Sequence, residues 1–398
     1  MTTVALLTRE FPPHVYGGAG VHVEHLAAAL AEHVEVRVHR FAESDAPRAG
    51  ETYGSWDALR GDAPHLAALR VMSTDLAMAA GVDGTDVAHS HTWYANFAGH
   101  LAKLLYGIPH VCTTHSLEPL RPWKAEQLAG GYALSSFCER TALEGADRII
   151  AVSARMRDDI LRCYPAVDPQ RVAVVHNGID VTTYAPDPAR DVLDRHRIDP
   201  DRPMVVFVGR ITRQKGLVHL LEAAEFMDAG AQLVLCAGAP DTVEIAGEVR
   251  EHVERLRATR EGVVWIEQLL PRPEIVQILS HATVFVCPSI YEPFGLVNVE
   301  AMACEAAVVA SRTGGIPEIV LHGETGLLVD VDPGDDPYGT PRHPERFAHA
   351  LAAAVNTLVA DPDRARAFGR AGRQRVVDHF SWESIAARTA EIYASLVT

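Results

Sequence analysis

Short apolar runs alternate with longer amphipathic stretches along nearly the whole chain, separated by polar, Gly- or Pro-bearing breaks. Val4 to Leu7, Val34 to Val38, Val87 to His91, Pro109 to Thr114, Arg148 to Val152 and Val172 to Val175 read as strands. Helices are predicted over Val21 to Ala31, Trp93 to Leu105 and Leu134 to Glu144. Residues 42 to 64 are polar with Gly and Pro, which predicts a long loop or insertion. The start of the Pro-, Asp- and Arg-rich stretch 181–203 reads as an inter-domain linker. A second series follows, with strands at Met204 to Val208, Gln232 to Ala237, Val263 to Ile266, Val284 to Cys287, Ala307 to Ala310 and Gly326 to Val329. Helices are predicted from Leu217 to Met227 and, last, from Trp382 to Leu396. Such alternation predicts an α/β fold with mainly parallel sheets in two doubly wound domains, 1–183 and 184–379, with a closing segment 380–398. Two such domains facing each other put ligands in the cleft, at the carboxyl ends of their strands.

Composition narrows the classes of function. The 398 residues carry a net charge of −16, so a nucleic-acid surface or an anionic membrane is an unfavourable partner. No apolar run approaches the roughly 18 residues of a membrane span, and the N-terminus lacks a signal-peptide pattern. Cys112, Cys138, Cys163, Cys236, Cys287 and Cys304 form no C-x2-C pair and sit mostly in apolar runs. They read as small core residues in a reducing cytoplasm. Of the 36 basic residues only Lys103, Lys124 and Lys215 are lysines, which marks each as a compact point charge among planar guanidinium forks.

The densest chemistry lies in Ser289-Ile290-Tyr291-Glu292-Pro293-Phe294-Gly295-Leu296-Val297-Asn298-Val299-Glu300. This segment leaves the Val284–Cys287 strand, turns at Glu292 to Gly295, and enters an apolar helix. A helix start presents unpaired N–H groups and the positive end of a dipole, which suits a diphosphate. Glu292 and Glu300, with seven residues between them, can accept hydrogen bonds from sugar hydroxyls. The combination suits a nucleotide sugar, although a plain strand–turn–helix unit gives the same letters.

Gly209-Arg210-Ile211-Thr212-Arg213-Gln214-Lys215-Gly216 sets two cations five residues apart between a strand and a helix. They suit a diphosphate clamp, with a solvated basic loop as the bland reading. Gly17-Gly18-Ala19-Gly20 opens a helix and fits an anion cradle or an ordinary tight turn. His115 ends a strand. Asn177-Gly178 fits a turn, and Thr313-Gly314-Gly315 ends another strand. His89-Ser90-His91 offers metal-ligating side chains, but no third and fourth ligands follow at metal-like spacing, so a buried strand end is preferred. Asp330-Val331-Asp332 reads as a loop. Arg121 and Lys124 flank the aromatic Trp123 after His115, either as ligands of an acceptor phosphate or as part of a charged surface loop.

In this order, the segments resemble the retaining glycosyltransferases of the GT-B fold, above all family four and the bacterial glycogen synthases. Glu292 to Glu300 matches their E-x7-E motif, and the resemblance covers nearly the whole chain. It implies two Rossmann-like domains across a cleft. The first would bind the acceptor and the second the nucleotide sugar, with the last helix crossing back to the first. It assigns catalysis to His115, Arg210, Lys215 and Glu292. Arg210 and Lys215 would meet the leaving phosphates, and Glu292, Gly295, Leu296 and Val297 the glucose and phosphates. Glu300 would take the ribose, and Leu270 would lie against the base. Gly18 and Asn177 complete the donor side. Tyr16, Trp93, Arg121 and Lys124 fall to the acceptor. No metal or other cofactor is implied, because cations and a helix start supply the positive charge. With no enzymatic nucleophile in the pattern, retention implies same-face attack.

Two departures bear on the acceptor. Tyr16 stands where glycogen synthases carry a Lys, which leans toward family four, and Thr92 stands where they carry an Asp, which implies a different acceptor side. Within it the likeness is to actinobacterial α-glucan-building members. That implies ADP-glucose as donor, with UDP-glucose as the alternative. The acceptor would be glucose 1-phosphate or an α-1,4-glucan end. A homodimer is compatible with the sequence. Two rivals stay open. One is a family-four transferase using a UDP- or GDP-sugar and an inositol or lipid acceptor, though no basic amphipathic segment supports lipid. The other is a nucleotide-sugar epimerase of similar architecture, which would turn over its donor without an acceptor.

Overall fold

The computed structural model describes residues 1–15, 18–42, 51–121, 130–336 and 339–397. The chain forms two compact units, Met1–Gly178 with Trp382–Thr398, and Ile179–Ser381.

In the first unit the order is β1 (Thr3–Thr8), α1 (Gly18–Leu30), β2 (Glu35–Phe41), β3 (Thr52–Tyr53), α2 (Pro64–Gly81), β4 (Val87–His91), α3 (Trp93–Tyr106), β5 (His110–Thr114), α4 (Gly131–Gly145), β6 (Arg148–Ala151), α5 (Ala154–Cys163) and β7 (Val172–Val174). The sheet order is β3-β2-β1-β4-β5-β6-β7, and the ladders are parallel. β4 and β5 are buried along their whole length because helices cover both faces, which is why they read as unbroken apolar or neutral runs. Val4, Leu6, Val23 and Leu26 pack one face; Ala5, Leu7, Met78 and Ala98 pack the other. The chain winds outward from β1 and then returns on its other side at β4, so the switch point of the sheet lies between those two strands.

The second unit runs α6 (Asp191–Arg195), β8 (Met204–Arg210), α7 (Leu217–Ala224), β9 (Gln232–Gly238), α8 (Val243–Thr259), β10 (Val263–Ile266), α9 (Arg272–Ser280), β11 (Val284–Cys287), α10 (Leu296–Ala303), β12 (Ala307–Ser311), α11 (Ile316–Ile319), β13 (Gly326–Val329), α12 (Pro344–Val359) and α13 (Pro362–His379). Its parallel sheet has the order β10-β9-β8-β11-β12-β13, with the switch point between β8 and β11. The last helix, α14 (Trp382–Ala394), packs on α1 within the first unit, where Ile385 and Tyr393 join the core. Tyr393 Oη lies 2.6 Å from His89 Nδ1, and Arg388 donates to the Val174 carbonyl.

Three sequence expectations shift. The stretch 42–64 is not all loop: Thr52 and Tyr53 pair with Arg40 and Phe41. Tyr53 stacks on His39 and reaches its Nδ1 at 2.9 Å, which anchors a strand of only two residues. The units divide after Gly178 and Ser381 instead of after residues 183 and 379. The Ile179 amide donates to Phe380 O, and the Tyr184 hydroxyl donates to Glu300, so residues 179–183 go with the second unit. The helix predicted to Met227 ends at Ala224. Among the described residues no helix is long and apolar enough to cross a membrane.

Candidate active site

In the second unit, loops at the carboxyl ends of β8, β11 and β12 converge on Glu292. Gly216 follows Lys215 with φ +63°, and a Cβ there would come 2.1 Å from the Pro288 carbonyl, so only glycine lets this loop lie against the exit of β11. The Ile290 amide then donates to Gln214 O at 2.9 Å. Lys215 Nζ reaches Glu292 Oε2 at 2.7 Å, and Ser289 Oγ donates to the same oxygen at 3.1 Å. The third loop closes the set. At Gly314, with φ +54°, a Cβ would fall 1.7 Å from Glu292 O, and the Gly315 amide donates to that carbonyl at 3.0 Å. Thr313 Oγ1 donates to Ile290 O.

The electrostatics follow from burial. The Glu292 side chain is 8% exposed and that of Lys215 is 21% exposed. Burial works against the Lys215 charge, but the adjacent Glu292 carboxylate outweighs it and raises the amine above its usual value. Lys215 is therefore an ammonium ion at neutral pH, fixed in place before any ligand arrives. Arg210, at the end of β8, is held by Asp241 at 3.1 Å. Glu300, one turn into α10, accepts from the Tyr184 hydroxyl at 3.0 Å, and burial raises its carboxyl despite that bond. Gly295, with φ +106°, caps α10 and presents the N-terminal amides of Leu296 and Val297. Leu270 lies partly buried between β10 and α9, next to exposed Leu269. Arg210, Lys215, Glu292, Gly295, Leu296, Val297 and Glu300 thus share one end of this sheet.

In the first unit, His115 follows β5, and burial lowers its imidazole to about 4, so it is neutral at physiological pH. Its Nε2 lies 3.2 Å from His91 Nδ1, and its ring is 4.7 Å from that of His22 on α1. Burial, then the neighbouring His115 and His89, hold His22 well below the usual imidazole range. Ring nitrogens of His22, His91 and His115 lie within 4.8 Å of one another, a group able to hold a metal ion. The spacing argument at His89 and His91 missed it because the other two members come from distant segments. Trp382 of α14 lies edge-on to His22 and stacked on His25, and Gly178 makes room for it, since a Cβ there would meet the indole at 2.6 Å.

Of the other expected residues, Asn177 is buried after β7, and Gly18 begins α1 beside open space. Trp93 is 2% exposed and begins α3. Thr92 before it has φ +64°, a strained conformation for a β-branched residue, and this sharp turn orients Trp93. Arg121 Nη1 donates to Ser116 Oγ at 3.1 Å. Tyr16 and Lys124 lie outside the described residues. Sequence reading missed Asp241, Ser289, Tyr184 and His22. Only Ser289 lay inside a recognised motif.

Residues 16–183 match the family model Glycosyltransferase Family 4, and residues 190–337 match Glycosyl transferases group 1. The chain is 57% identical over 394 residues to an α-maltose-1-phosphate synthase of Mycolicibacterium smegmatis, covering 98% of each chain. It is 30% identical over 427 residues to a glycogen synthase of Mycobacterium tuberculosis, covering 98% of this chain and 94% of the other. Among solved structures, a sucrose-phosphate synthase from Thermosynechococcus elongatus superposes with a TM-score of 0.79 at 26% identity, covering 100% of this chain and 99% of that one. With its two parallel Rossmann-like sheets and this full-length likeness, the chain belongs to the GT-B glycosyltransferases that join a Family 4 to a group 1 domain, in the family of the α-maltose-1-phosphate synthases.

Proposed function

We propose that this chain is a retaining glucosyltransferase that moves glucose from ADP-glucose to α-glucose 1-phosphate, forming α-maltose 1-phosphate. The observation that carries the reading is the likeness to an α-maltose-1-phosphate synthase at 57% identity over 98% of both chains. The second-unit geometry supports the chemistry. A diphosphate leaving group needs positive charge that is already in place when the glycosidic bond breaks. Lys215 has three N–H donors, so it keeps Glu292 while turning another toward a phosphate. Arg210 and the α10 amides add to that field. Glu292 uses Oε2 for Lys215 and Ser289, and Oε1 serves as acceptor for a glucose hydroxyl. Glu300 takes a ribose hydroxyl, and Leu270 packs against the base.

In the reaction the bond from glucose C1 to the diphosphate oxygen breaks while a bond forms from C1 to the acceptor O4 on the same face. The O4 proton passes to the departing diphosphate. His115, kept neutral by burial, is able to hold a sugar hydroxyl and carries no charge into the step. We assign no metal to this chemistry. The test is release of nucleoside diphosphate from ADP-glucose and UDP-glucose, each with glucose 1-phosphate, with glycogen and with no acceptor. Fast ADP release that requires glucose 1-phosphate supports the reading. Release only with glycogen makes the enzyme a polymer-elongating synthase, release with no acceptor makes it a hydrolase that transfers the sugar to water, and conversion of the donor to an isomeric nucleotide sugar without release makes it an epimerase.

A further inference from the structure

The first unit contains a cavity of about 320 Å³ at the carboxyl ends of β1, β2 and β4, the switch point where a doubly wound sheet takes its ligands. Its size falls at the small end of the roughly 300–1,000 Å³ typical of ligand pockets. Arg9, Ser55, Arg70, Thr74, Trp93 and Tyr94 supply its polar and aromatic lining. The lining includes two arginines and no carboxylate, in a chain whose net charge is −16. Arg9 sits 4.3 Å over the Tyr94 ring and has no carboxylate partner among the described residues. Arg70 is anchored through Nη1 to Leu59 O and Gly61 O, at 3.1 and 3.0 Å, which leaves Nη2 available. Trp93 is 2% exposed, and its indole N–H has no acceptor among the described residues. Two guanidinium groups without acids, a buried unsatisfied donor and two aromatic faces are a recognition set for a phosphorylated sugar.

We propose that this cavity seats the phosphorylated acceptor, and that Arg9 and Arg70 make the enzyme select a sugar phosphate over a neutral glucan end. The proposal rests on the glucosyl-transfer reading above. Arg9 and Arg70 hold the phosphate oxygens, the Trp93 N–H and Thr74 Oγ1 bind sugar hydroxyls, and the Tyr94 ring backs the assembly. Arg121, expected from the sequence to hold the acceptor phosphate with Lys124, does not line this cavity, and Lys124 lies outside the described residues.

The experiment compares wild type with Arg9→Gln, Arg9→Lys and Arg70→Gln. Calorimetric titration with α-glucose 1-phosphate is read beside initial rates at varied glucose 1-phosphate and varied ADP-glucose, and beside melting curves. Arg9 is exposed and bears no structural hydrogen bond, so Arg9→Gln keeps the wild-type melting curve even where Arg70→Gln loosens its loop. Loss of one charge-assisted contact predicts a rise of about 10- to 100-fold in the KM for glucose 1-phosphate, a matching loss of affinity, and no rise in the KM for ADP-glucose. Arg9→Lys recovers part of the loss. Inorganic phosphate competes with glucose 1-phosphate in the wild type and fails to do so in Arg9→Gln. An unchanged KM for glucose 1-phosphate in both Gln variants overturns the proposal and leaves the transfer reading intact. Wild-type binding without turnover, lost in the variants, keeps the cavity and overturns the transfer reading. If the wild type neither binds nor uses glucose 1-phosphate, both fall.

Discussion

Replacing Lys215 with Met separates two roles that one side chain combines. The substitution keeps length and packing but removes the charge that sits 2.7 Å from Glu292 Oε2. Glu292, with 8% of its side chain exposed, then keeps a buried carboxylate supported, among the described residues, by Ser289 alone. Breaking a fully buried pair costs about 3–5 kcal/mol. Lys215 is 21% exposed, so water softens the loss, and about 2–4 kcal/mol is expected. For a unit of this size that is a drop of roughly 4–16 °C in its melting temperature. Separately, loss of one preorganised cation at the leaving group predicts a fall in kcat of about 10²–10³-fold. The double variant Lys215→Met with Glu292→Gln removes the orphaned charge as well. It should regain most of the stability while activity stays low. Differential scanning calorimetry and nucleoside diphosphate release are the paired assays. A Lys215→Met enzyme whose kcat stays within about threefold of wild type, or a double variant that regains activity together with stability, would refute the reasoning.

Acidification should destabilise the first unit. Burial holds His115 down to about 4, His89 and His110 down to about 3, and His22 and His91 well below the usual range. Between pH about 6.5 and 4 the unfolded chain therefore binds more protons at these histidines than the folded one, and the raised carboxyl of buried Asp75 offsets only one of them, so stability falls as pH drops through that window. Urea midpoints from pH 7.5 down to 5 check this, and a midpoint that rises on acidification contradicts it. Gly314→Ala forces a side chain to φ +54° and into the Glu292 carbonyl. It should cost about 1–3 kcal/mol and lower kcat/KM, as seen by melting curve and rate together; wild-type values for both would show that the three loops are not interlocked. Exhaustive chelation followed by dialysis should leave the transfer rate unchanged, whereas loss restored by added zinc would give the His22, His91 and His115 group a catalytic metal.

The strands were legible because helices bury both faces of these sheets, so β4, β5, β9, β11 and β12 stand out as runs of apolar or neutral residues. The helix α2 left a weaker signal. Its Ala- and Met-rich sequence lacks a clean polar stripe, and Asp75 lies wholly buried inside it, where burial pushes its carboxyl well above the usual carboxylate range. Local chemistry was legible wherever one loop carried it, as at Arg210 to Gly216 or Glu292 to Glu300. Partnership was not. Lys215 and Glu292 were each identified, yet their ion pair spans 77 positions. The same holds for Asp241 beneath Arg210 and for His22 beside His115. Gly314 read as part of a loop motif, whereas its physical requirement is the close approach of the Glu292 carbonyl. The arginine-lined cavity was hidden for the same reason, since the end of β1, the α2 helix and the start of α3 meet only after folding.

The central claim is the identity and stereochemistry of the product. Proton NMR of a reaction containing ADP-glucose and α-glucose 1-phosphate should show a new α-1,4 anomeric signal beside the retained phosphorylated anomeric centre, growing in step with ADP. A β-configured new linkage, free glucose as the sole sugar product, or no disaccharide phosphate while glucan chains lengthen would contradict it.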